Sequence, residues 1–429
     1  MKLAINGGNK IRNKKFPNYK TIDNNEVVAV EKVLKDGVLS KYLGCWDDDF
    51  YGGKVVQQFE KEWSSFFQIE YSIAINSASS GIHIALGACG IGYSDEVIVT
   101  PYSMSVSATA PLLWNATPVF ADIDKDTLAL DAKSIEEKIT KYTKAIVVVH
   151  LFGYSADMDE IMQIARKYNL YVIEDAAQAP GAIYKDKLVG TIGDIGIFSL
   201  NYHKHIHTGE GGVCVTDNEE LAKRMQLNRN HAEAVIDDMG YSNLNNMLGF
   251  NFRLTELQAA IGVEQLKKLN KEIDIRNRYA TMYNSALSKI PFLKVIQNKS
   301  DRKHVYYIQG FRFNEKEAGI KRDRFLEAVR AELEPVETRE NEGVPIYGGY
   351  TKPLYLLSIF QNKQVYNKRG FAFKDNINYN KGICPNVEEL YESELFFHDL
   401  TRSPLTTKDI EDVIEAYNKV SENIDELKQ

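Results

Sequence analysis

Lys204 has the most distinctive chemical surroundings in the sequence, because His203, His205 and His207 lie beside it. A lysine amine in a desolvated pocket near cationic neighbours loses its proton more easily, as Schiff-base chemistry requires. The three histidines are also candidates for a zinc site, although they provide no carboxylate and no helical i, i+4 spacing. The segment therefore predicts a reactive amine, with a metal site as the alternative.

Asp175 and Gln178 directly follow an apolar run at residues 170–173. A carboxylate at the end of a buried strand is costly unless it meets a cation or a strong hydrogen-bond donor. A protonated pyridine nitrogen is one such partner. The alternative is that the carboxylate caps the helix that follows.

A third segment, Ser79 and Ser80, lies between the apolar run at residues 72–76 and a helical pattern. At a helix N-terminus the first backbone N–H groups are free and the helix dipole is positive, so small hydroxyl residues there can help to bind a phosphate. Ordinary helix capping is the alternative. A fourth segment, residues 249–260, indicates a loop that leads into a helix, with Asn251 or Thr255 as its cap.

These segments fall at the ends of predicted strands. Between residues 72 and 215, short β-branched runs alternate with helical stretches, which is typical of a mostly parallel sheet with helices on both faces. The runs are SIAIN, DEVIVTP, TPVFADID, KAIVVVHLFG, LYVIEDAA, IGIFSL and GGVCVTD. They are apolar throughout, as expected of strands that are covered on both sides, and ligands bind at the carboxyl ends of such strands.

Around this α/β core, apolar spacing predicts one helix within residues 20–40 that ends at Gly37, and further helices at 218–235 and 253–290. Residues 1–290 are expected to form a large domain, and residues 291–429 a smaller C-terminal α+β domain. The segment at residues 41–53 is aromatic, acidic and glycine-rich without periodicity, and is expected to be a loop.

Composition excludes several classes of protein. The 429 residues carry a net charge of −7 with no basic run, which does not favour nucleic-acid binding. No 18-residue apolar window and no signal peptide are visible, so neither a membrane span nor secretion is expected. The four cysteines are far apart and are expected to be reduced thiols of a cytoplasmic protein.

Taken together, the motifs resemble those of the DegT/StrS-type sugar aminotransferases, a branch of the fold-type I enzymes that use pyridoxal 5′-phosphate (PLP). The motifs are EDAAQ, FSxxxxKxxxTGEGG and GxNxRxTExQAA in that order, supported by DEVIVTP, TPVFADID, HLFGYSADMD, GTIGDIG and CPNVEEL. The resemblance spans about residues 20–420 and implies transfer of an amino group, with glutamate as donor, to a nucleotide-linked keto-sugar. Amino-sugar or surface-polysaccharide biosynthesis is the expected context.

The resemblance also implies residue roles. Lys204 would bond covalently to PLP and later move a proton, Asp175 would pair with the pyridinium nitrogen, and Gln178 would touch the ring hydroxyl. The phosphate would be held by Ser79, Ser80 and Ser199. Asn251 would reach the cofactor phosphate of a second subunit, so a homodimer with shared sites is expected.

The sequence departs from the family pattern where an aromatic residue usually stacks on the cofactor ring, because Met104 stands there and provides a soft polarizable contact instead. A minority of the family replaces the lysine with histidine and deoxygenates sugars, and Lys204 argues against that branch. A non-catalytic regulatory relative is the remaining alternative.

Two aromatic segments are candidates for substrate contact. Trp46 and Tyr51 in the 41–53 loop offer flat faces that suit a base or a sugar ring. Tyr347 and Lys352 lie where the family's C-terminal domain closes over its substrate, and Lys352 could meet a phosphate. Ordinary packing of both segments on the protein surface is the alternative.

Overall fold

The computed structural model describes residues 2–296, 299–338, 340–363, 365 and 377–428. Its strands are β1 Tyr71–Ile75, β2 Glu96–Val99, β3 Thr117–Phe120, β4 Thr143–Val149, β5 Tyr171–Asp175, β6 Ile183–Tyr184, β7 Lys187–Leu188, β8 Ile195–Ser199, β9 Gly212–Thr216, β10 Leu293–Val295, β11 Arg302–Lys303, β12 Gln309–Phe313, β13 Ile346–Gly348 and β14 Leu395–His398. Its α-helices are α1 Asn24–Asp36, α2 Lys54–Phe67, α3 Ala78–Ala88, α4 Val106–Leu113, α5 Ala132–Lys138, α6 Met158–Tyr168, α7 Glu219–Arg229, α8 Glu256–Leu266, α9 Leu269–Leu287, α10 Glu315–Ala318, α11 Arg322–Ala331, α12 Ser358–Gln361, α13 Pro385–Glu389 and α14 Thr407–Glu422.

A seven-stranded sheet of order β1-β9-β8-β5-β4-β2-β3 forms the centre of the molecule. The strands from β8 to β3 pair in parallel, whereas β9 is antiparallel to both of its neighbours. Successive residues of β4 enter different cores: Ala145 and Val147 pack with α3 and α4, whereas Ile146 and Val148 pack with α2, α6 and α8. Because both faces are covered, the strands carry apolar residues on both faces of the sheet, and the predicted α/β architecture is confirmed.

A smaller antiparallel sheet of order β10-β12-β14-β13 lies in the C-terminal part of the chain. Its core joins Phe311 and Phe396 of the sheet to Phe325 of α11 and Tyr417 of α14. Tyr283 of α9 belongs to the same core, together with Leu3 and Phe16 of the N-terminal segment. The domain boundary near residue 290 therefore remains a prediction, since earlier segments also contribute to this second core.

The predicted end of the first helix is confirmed, whereas the later helices differ from their predicted bounds. Helix α1 begins with a capping box between Asp23 and Glu26 and ends at Gly37, whose φ of 74° suits a glycine. The helix expected to reach residue 235 ends at Arg229, because Asn230 leaves the helical conformation, with φ −139° and ψ 73°, and pairs with Asn251. The long stretch at 253–290 is divided into α8 and α9. Within the described residues, no helix is both long enough and apolar enough to span a bilayer.

Candidate active site

The site residues lie at the carboxyl edge of β5 and β8, which are neighbouring parallel strands. Asp175 ends β5, Ser199 ends β8, and Lys204 follows in the loop between β8 and β9. The chain order of these strands and their parallel pairing therefore bring an acid and an amine to one edge of the sheet.

Lys204 is almost fully buried, with 9% of its surface exposed. Burial and, to a smaller extent, the nearby Arg276 guanidinium outweigh the opposing effect of Asp175 and Asp399 and together lower the pKa of its amine to about 8. Its Nζ lies 4.0 Å from the centroid of the Tyr307 ring. A substantial fraction of the amine is therefore neutral, and nucleophilic, near physiological pH.

Tyr19, in the N-terminal segment, is hydrogen-bonded to the backbone of Lys204. The Tyr19 hydroxyl donates to the carbonyl oxygens of Lys204 at 2.5 Å and His205 at 2.9 Å. Burial raises the pKa of Tyr19 to about 12, so this hydroxyl keeps its proton and remains a donor. The contact fixes the position of the loop that carries the reactive amine.

Asp175 is buried, with 5% of its surface exposed, and accepts a 3.1 Å bond from the Ala177 N–H. Burial raises its pKa, while the Ala177 amide, the charge of Lys204 and a hydrogen bond from Ser107 act against that rise. A carboxylate in this state gains most from a further cationic partner. A pyridinium nitrogen at this edge fits that requirement.

Gln178 has a fixed orientation, because both ends of its amide have partners. Its Oε1 accepts from the Phe152 N–H at 2.7 Å, and its Nε2 donates to the Tyr350 hydroxyl at 3.1 Å. The second Nε2 hydrogen is thus the part of this side chain suited to an acceptor such as a ring hydroxyl oxygen. Tyr350 follows β13, so the smaller sheet contributes directly to the site.

Glu174 lies one residue before Asp175 and secures the neighbouring backbone. Its carboxylate accepts from His150 Nε2 at 2.9 Å and from the N–H groups of Gly190, Ile192 and Gly193 at 2.6–2.8 Å. Burial alone would raise the pKa of Glu174, but the His150 bond and these amides outweigh it and hold the pKa below its usual value. The ionised carboxylate therefore ties β4, β5 and the loop before β8 together.

The N-terminus of α3, where the sequence predicts a phosphate cradle, approaches the same edge. Ser77 caps the helix by accepting from the Ser80 N–H, and the Ser80 hydroxyl donates to Asn76 Oδ1 at 2.6 Å. Ser79 is exposed. A Cβ at Gly212 would lie 2.8 Å from the Ala78 nitrogen, so only glycine lets β9 approach this helix end so closely.

The remaining cofactor candidates differ in their setting. Ser199 pairs with Gly212, which places it beside the start of α3. Met104 is 57% exposed just before α4 and is thus available for contact. Asn251 is exposed, and its carbonyl oxygen accepts from Asn76 Nδ2 at 3.5 Å.

The substrate candidates fall into two groups. Trp46 is 42% exposed and has edge contacts with Phe50 and Tyr51, at centroid distances of 5.9 and 6.1 Å. Tyr347 packs on Phe397 of the smaller sheet.

Lys352 is exposed, and its neighbour Thr351 donates to the Ser103 carbonyl oxygen at 3.1 Å. That contact joins the Lys352 segment to the segment that carries Met104. The 41–53 loop instead contacts Asn230, whose side chain donates to the carbonyl oxygens of Leu43 at 2.8 Å and Phe50 at 3.0 Å.

The histidines beside Lys204 point to separate partners. His205 is buried and bonds through Nε2 to the Val305 carbonyl oxygen at 2.8 Å, whereas His203 packs on Tyr202 and His207 on Tyr19. Within the described parts of the chain, no three His, Cys, Asp or Glu side chains form a group that could hold a metal ion.

Sequence reasoning did not identify Tyr19, Tyr307 or the Glu174–His150 pair. Tyr19 is 185 positions away from Lys204 along the chain, so no local spacing could have indicated the contact. The available signals were the Tyr306–Tyr307 pair, and the occurrence of Glu174 and His150 within the EDAAQ and HLFGYSADMD motifs.

Comparison with known proteins agrees with this geometry. The sequence pattern of the DegT/DnrJ/EryC1/StrS aminotransferase family matches residues 39–418. The spore coat polysaccharide biosynthesis protein SpsC of Bacillus subtilis is 33% identical over 94% of this chain and 96% of its own length. GDP-perosamine synthase of Caulobacter vibrioides is 40% identical over 61% of this chain and 71% of its own.

Among solved structures, the aminotransferase from Psychrobacter cryohalolentis superposes with a TM-score of 0.81 at 31% identity, covering 96% of this chain and 100% of that one. The buried amine, the buried carboxylate and the open helix N-terminus are what PLP requires. The chain therefore belongs to the DegT/DnrJ/EryC1/StrS aminotransferase family and is a PLP-dependent aminotransferase.

Proposed function

We propose that this enzyme transfers an amino group from glutamate to a nucleotide-linked keto-sugar, as a homodimer, in amino-sugar or surface-polysaccharide biosynthesis. The observation that carries the proposal is the convergence of Lys204, Asp175 and Gln178 at the carboxyl edge of β5 and β8, beside the N-terminus of α3. The names of SpsC and GDP-perosamine synthase support the sugar context.

We assign the cofactor contacts from this arrangement. Lys204 anchors PLP and moves the proton at the reacting carbon, Asp175 holds the ring nitrogen protonated, and Gln178 donates from Nε2 to the ring hydroxyl. Bound PLP supplies the electron sink that stabilises negative charge on that carbon. The lowered pKa of Lys204 suits its role, because only the neutral amine can accept a proton.

The α3 end is assigned to the phosphate. The exposed Ser79 hydroxyl and the first N–H groups of the helix are suited to bind it, with Ser199 alongside. The Ser80 hydroxyl already donates to Asn76 and the Ser80 N–H to Ser77, so we expect Ser80 to hold the shape of the cradle around the phosphate. Met104 is assigned to the exposed face of the ring.

The homodimer is supported by apolar surface on one side of the molecule. Asn230 connects the 41–53 loop to the Asn251 segment, because its side chain donates to the carbonyl oxygens of Leu43 and Phe50 and its backbone pairs with Asn251. Exposed apolar side chains lie in and near these segments, namely Val38, Leu39, Leu43, Trp46, Leu244 and Leu248. A second subunit covering this side would place Asn251, Trp46 and Tyr51 together at its own site.

The cytoplasm is the proposed compartment, supported by four cysteines that are all free thiols.

The function is tested by incubating the purified enzyme with glutamate and a panel of nucleotide-linked keto-sugars, and measuring products by mass spectrometry. A product with an amino group in place of the ketone is expected for at least one sugar of the panel. If the enzyme aminates only a cyclic ketone without a nucleotide, the reaction type stands and the nucleotide-linked substrate is wrong.

Substrate contacts are tested kinetically. Trp46→Ala and Lys352→Ala are expected to raise KM for the keto-sugar and leave the glutamate half-reaction unchanged, because glutamate is too short to reach them. Tyr93→Ala and Lys133→Ala remove comparable exposed side chains elsewhere and serve as controls. An equal loss of rate in both half-reactions would show that these segments, with Tyr51 and Tyr347, support the fold and do not bind the sugar.

A further inference from the structure

Arg276, in α9, is a fully buried cation near the reactive amine. It is 0% exposed, and its Nη1 donates to the carbonyl oxygens of Tyr306 and Tyr307, both at 3.1 Å. Both of these partners are neutral. Its Nε and Nη2 groups are buried without an acceptor among the described residues. A guanidinium in such a setting is costly to the fold, so a function that requires its charge would explain its presence.

Two chains of contact connect Arg276 to Lys204. The first passes through Tyr307, whose carbonyl oxygen accepts from Arg276 and whose ring centroid lies 4.0 Å from Lys204 Nζ. The second passes through Tyr19, whose ring centroid is 5.8 Å from the Arg276 guanidinium carbon and whose hydroxyl donates to the Lys204 carbonyl oxygen. A single residue therefore separates the guanidinium from Lys204 along each of the two chains.

Within the described residues, no carboxylate is hydrogen-bonded to Arg276. Glu272 lies one turn earlier on the same helix, but its Oε2 is also buried without a donor among the residues that the structure describes. Asp399 is paired with Arg402 at 2.7 Å. In a buried region of low dielectric, a charge without a bonded counter-ion acts strongly on its neighbours.

We propose that Arg276 is a positioning residue of the active site, which fixes the Tyr306–Tyr307 backbone beside Lys204 and supplies the positive charge that keeps the Lys204 amine neutral. A proton added to Lys204 would place two positive charges in one buried region, and the neutral amine avoids that repulsion. This inference rests on the proposed role of Lys204 as nucleophile and base, which only the neutral amine can fill.

The other groups that face Lys204 differ in their effect. The carboxylates of Asp175 and Asp399 favour the charged amine, and they act against burial and Arg276, which lower its pKa to about 8. His205 stays neutral, because burial and the Arg276 charge hold its pKa well below the usual value. Among these groups, Arg276 is thus the cation that opposes protonation of Lys204.

The test measures the pKa of Lys204 in the full-length apoprotein. Trace labelling with acetic anhydride across a pH series, read by mass spectrometry of the Lys204 peptide, gives the midpoint at which the amine becomes reactive. Arg276→Gln keeps an N–H donor but removes the charge, so the ammonium is less disfavoured and the midpoint is expected to rise by about half to one pH unit. Arg276→Lys keeps the charge and is expected to leave the midpoint close to that of the wild type. Exposed Lys144, labelled in the same samples, is the internal reference.

Three outcomes would overturn the inference: an unchanged midpoint in Arg276→Gln, a lowered midpoint, or a rise of equal size in Arg276→Lys, which would assign the effect to altered packing. Arg276→Met removes the charge from a side chain that is also long and unbranched, and gives the same readout if the glutamine variant fails to fold. Failure of the proposed function is seen separately, because Lys204→Ala would then still bind PLP covalently, whereas the midpoint is measured without cofactor or substrate.

Discussion

Burial shifts both reactive side chains at the site toward their neutral forms. It lowers the pKa of Lys204 and raises that of Asp175, and the attraction between the two charges only partly offsets this. For an amine that must act as nucleophile and base, the shift is useful. For Asp175 the shift is unfavourable, because its role requires the ionised carboxylate. A cationic ring nitrogen beside it would stabilise that ionised form.

Lys204→Ala is expected to abolish transamination, with a loss of about 10²–10⁴-fold or more, since both the covalent anchor and the proton carrier are removed. The folded structure should persist, as judged by circular dichroism. The visible absorbance of the PLP-bound protein, which borohydride bleaches in the wild type, should be absent. A variant that turns over at close to the wild-type rate would show that another residue holds the cofactor.

Asp175→Asn is expected to weaken PLP retention and rate together, because a neutral amide cannot stabilise a pyridinium. A charge-assisted hydrogen bond contributes about 1.5–3 kcal/mol, so a loss of about tenfold or more is expected. Equilibrium dialysis of PLP and steady-state kinetics measure the two effects. Asp194→Asn serves as a control, because Asp194 is a half-buried carboxylate whose partner is the Val172 N–H. Unchanged affinity and rate would remove Asp175 from the site.

The sequence indicated residues whose side chains have a distinctive chemistry. It missed residues whose importance comes from the contacts that they make in the folded chain. Lys204 and Asp175 were indicated by an amine and a carboxylate that follow apolar runs, and the family resemblance of their motifs implied their roles and that of Gln178. Tyr19 and Tyr307 carry no such signal, and their roles arise only when the N-terminal segment and the 304–308 segment fold over the β8–β9 loop.

At the scale of elements, the strands were predictable because continuous apolar runs are the direct consequence of two covering layers. The break between α8 and α9 was not predictable, since the apolar spacing continues across Lys267 and Lys268. The end of α7 likewise depends on a distant partner, Asn251, which pairs with Asn230.

The close approach of β9 to α3 gives a prediction at this scale. Gly212→Ala would place a Cβ within 2.9 Å of Phe198, Ser77 and Ala78 backbone atoms, so the phosphate end of the site must shift. We expect a loss of about 1–3 kcal/mol in the free energy of unfolding, and weaker PLP binding.

Denaturant unfolding and PLP titration measure these effects. Gly92→Ala is the matched control, because a Cβ there meets nothing within 4 Å and should change stability by less than about 0.5 kcal/mol. If Gly212→Ala behaves like this control, β9 does not constrain the helix end.

At the scale of the whole molecule, the two sheets share one site. Tyr350, after β13, bonds to Gln178, which follows β5 of the large sheet, and Phe152 packs on both Tyr350 and Phe397 at centroid distances of 5.1 and 5.8 Å. Whether residues 291–429 form a separate domain is still a prediction. The shared contacts indicate that this part of the chain completes the active site.

The last prediction concerns a second subunit. If Asn251 serves the partner's cofactor, mixed dimers of a Lys204→Ala chain and an Asn251→Ala chain contain one site with both residues intact, so activity should return toward half that of the wild type. Differently tagged chains allow such dimers to be purified and assayed. The control pairs a chain carrying both changes with a wild-type chain, since every site then lacks one residue and activity should stay low. An equally active control, or no rescue in purified mixed dimers of two impaired parents, would show that Asn251 serves its own subunit.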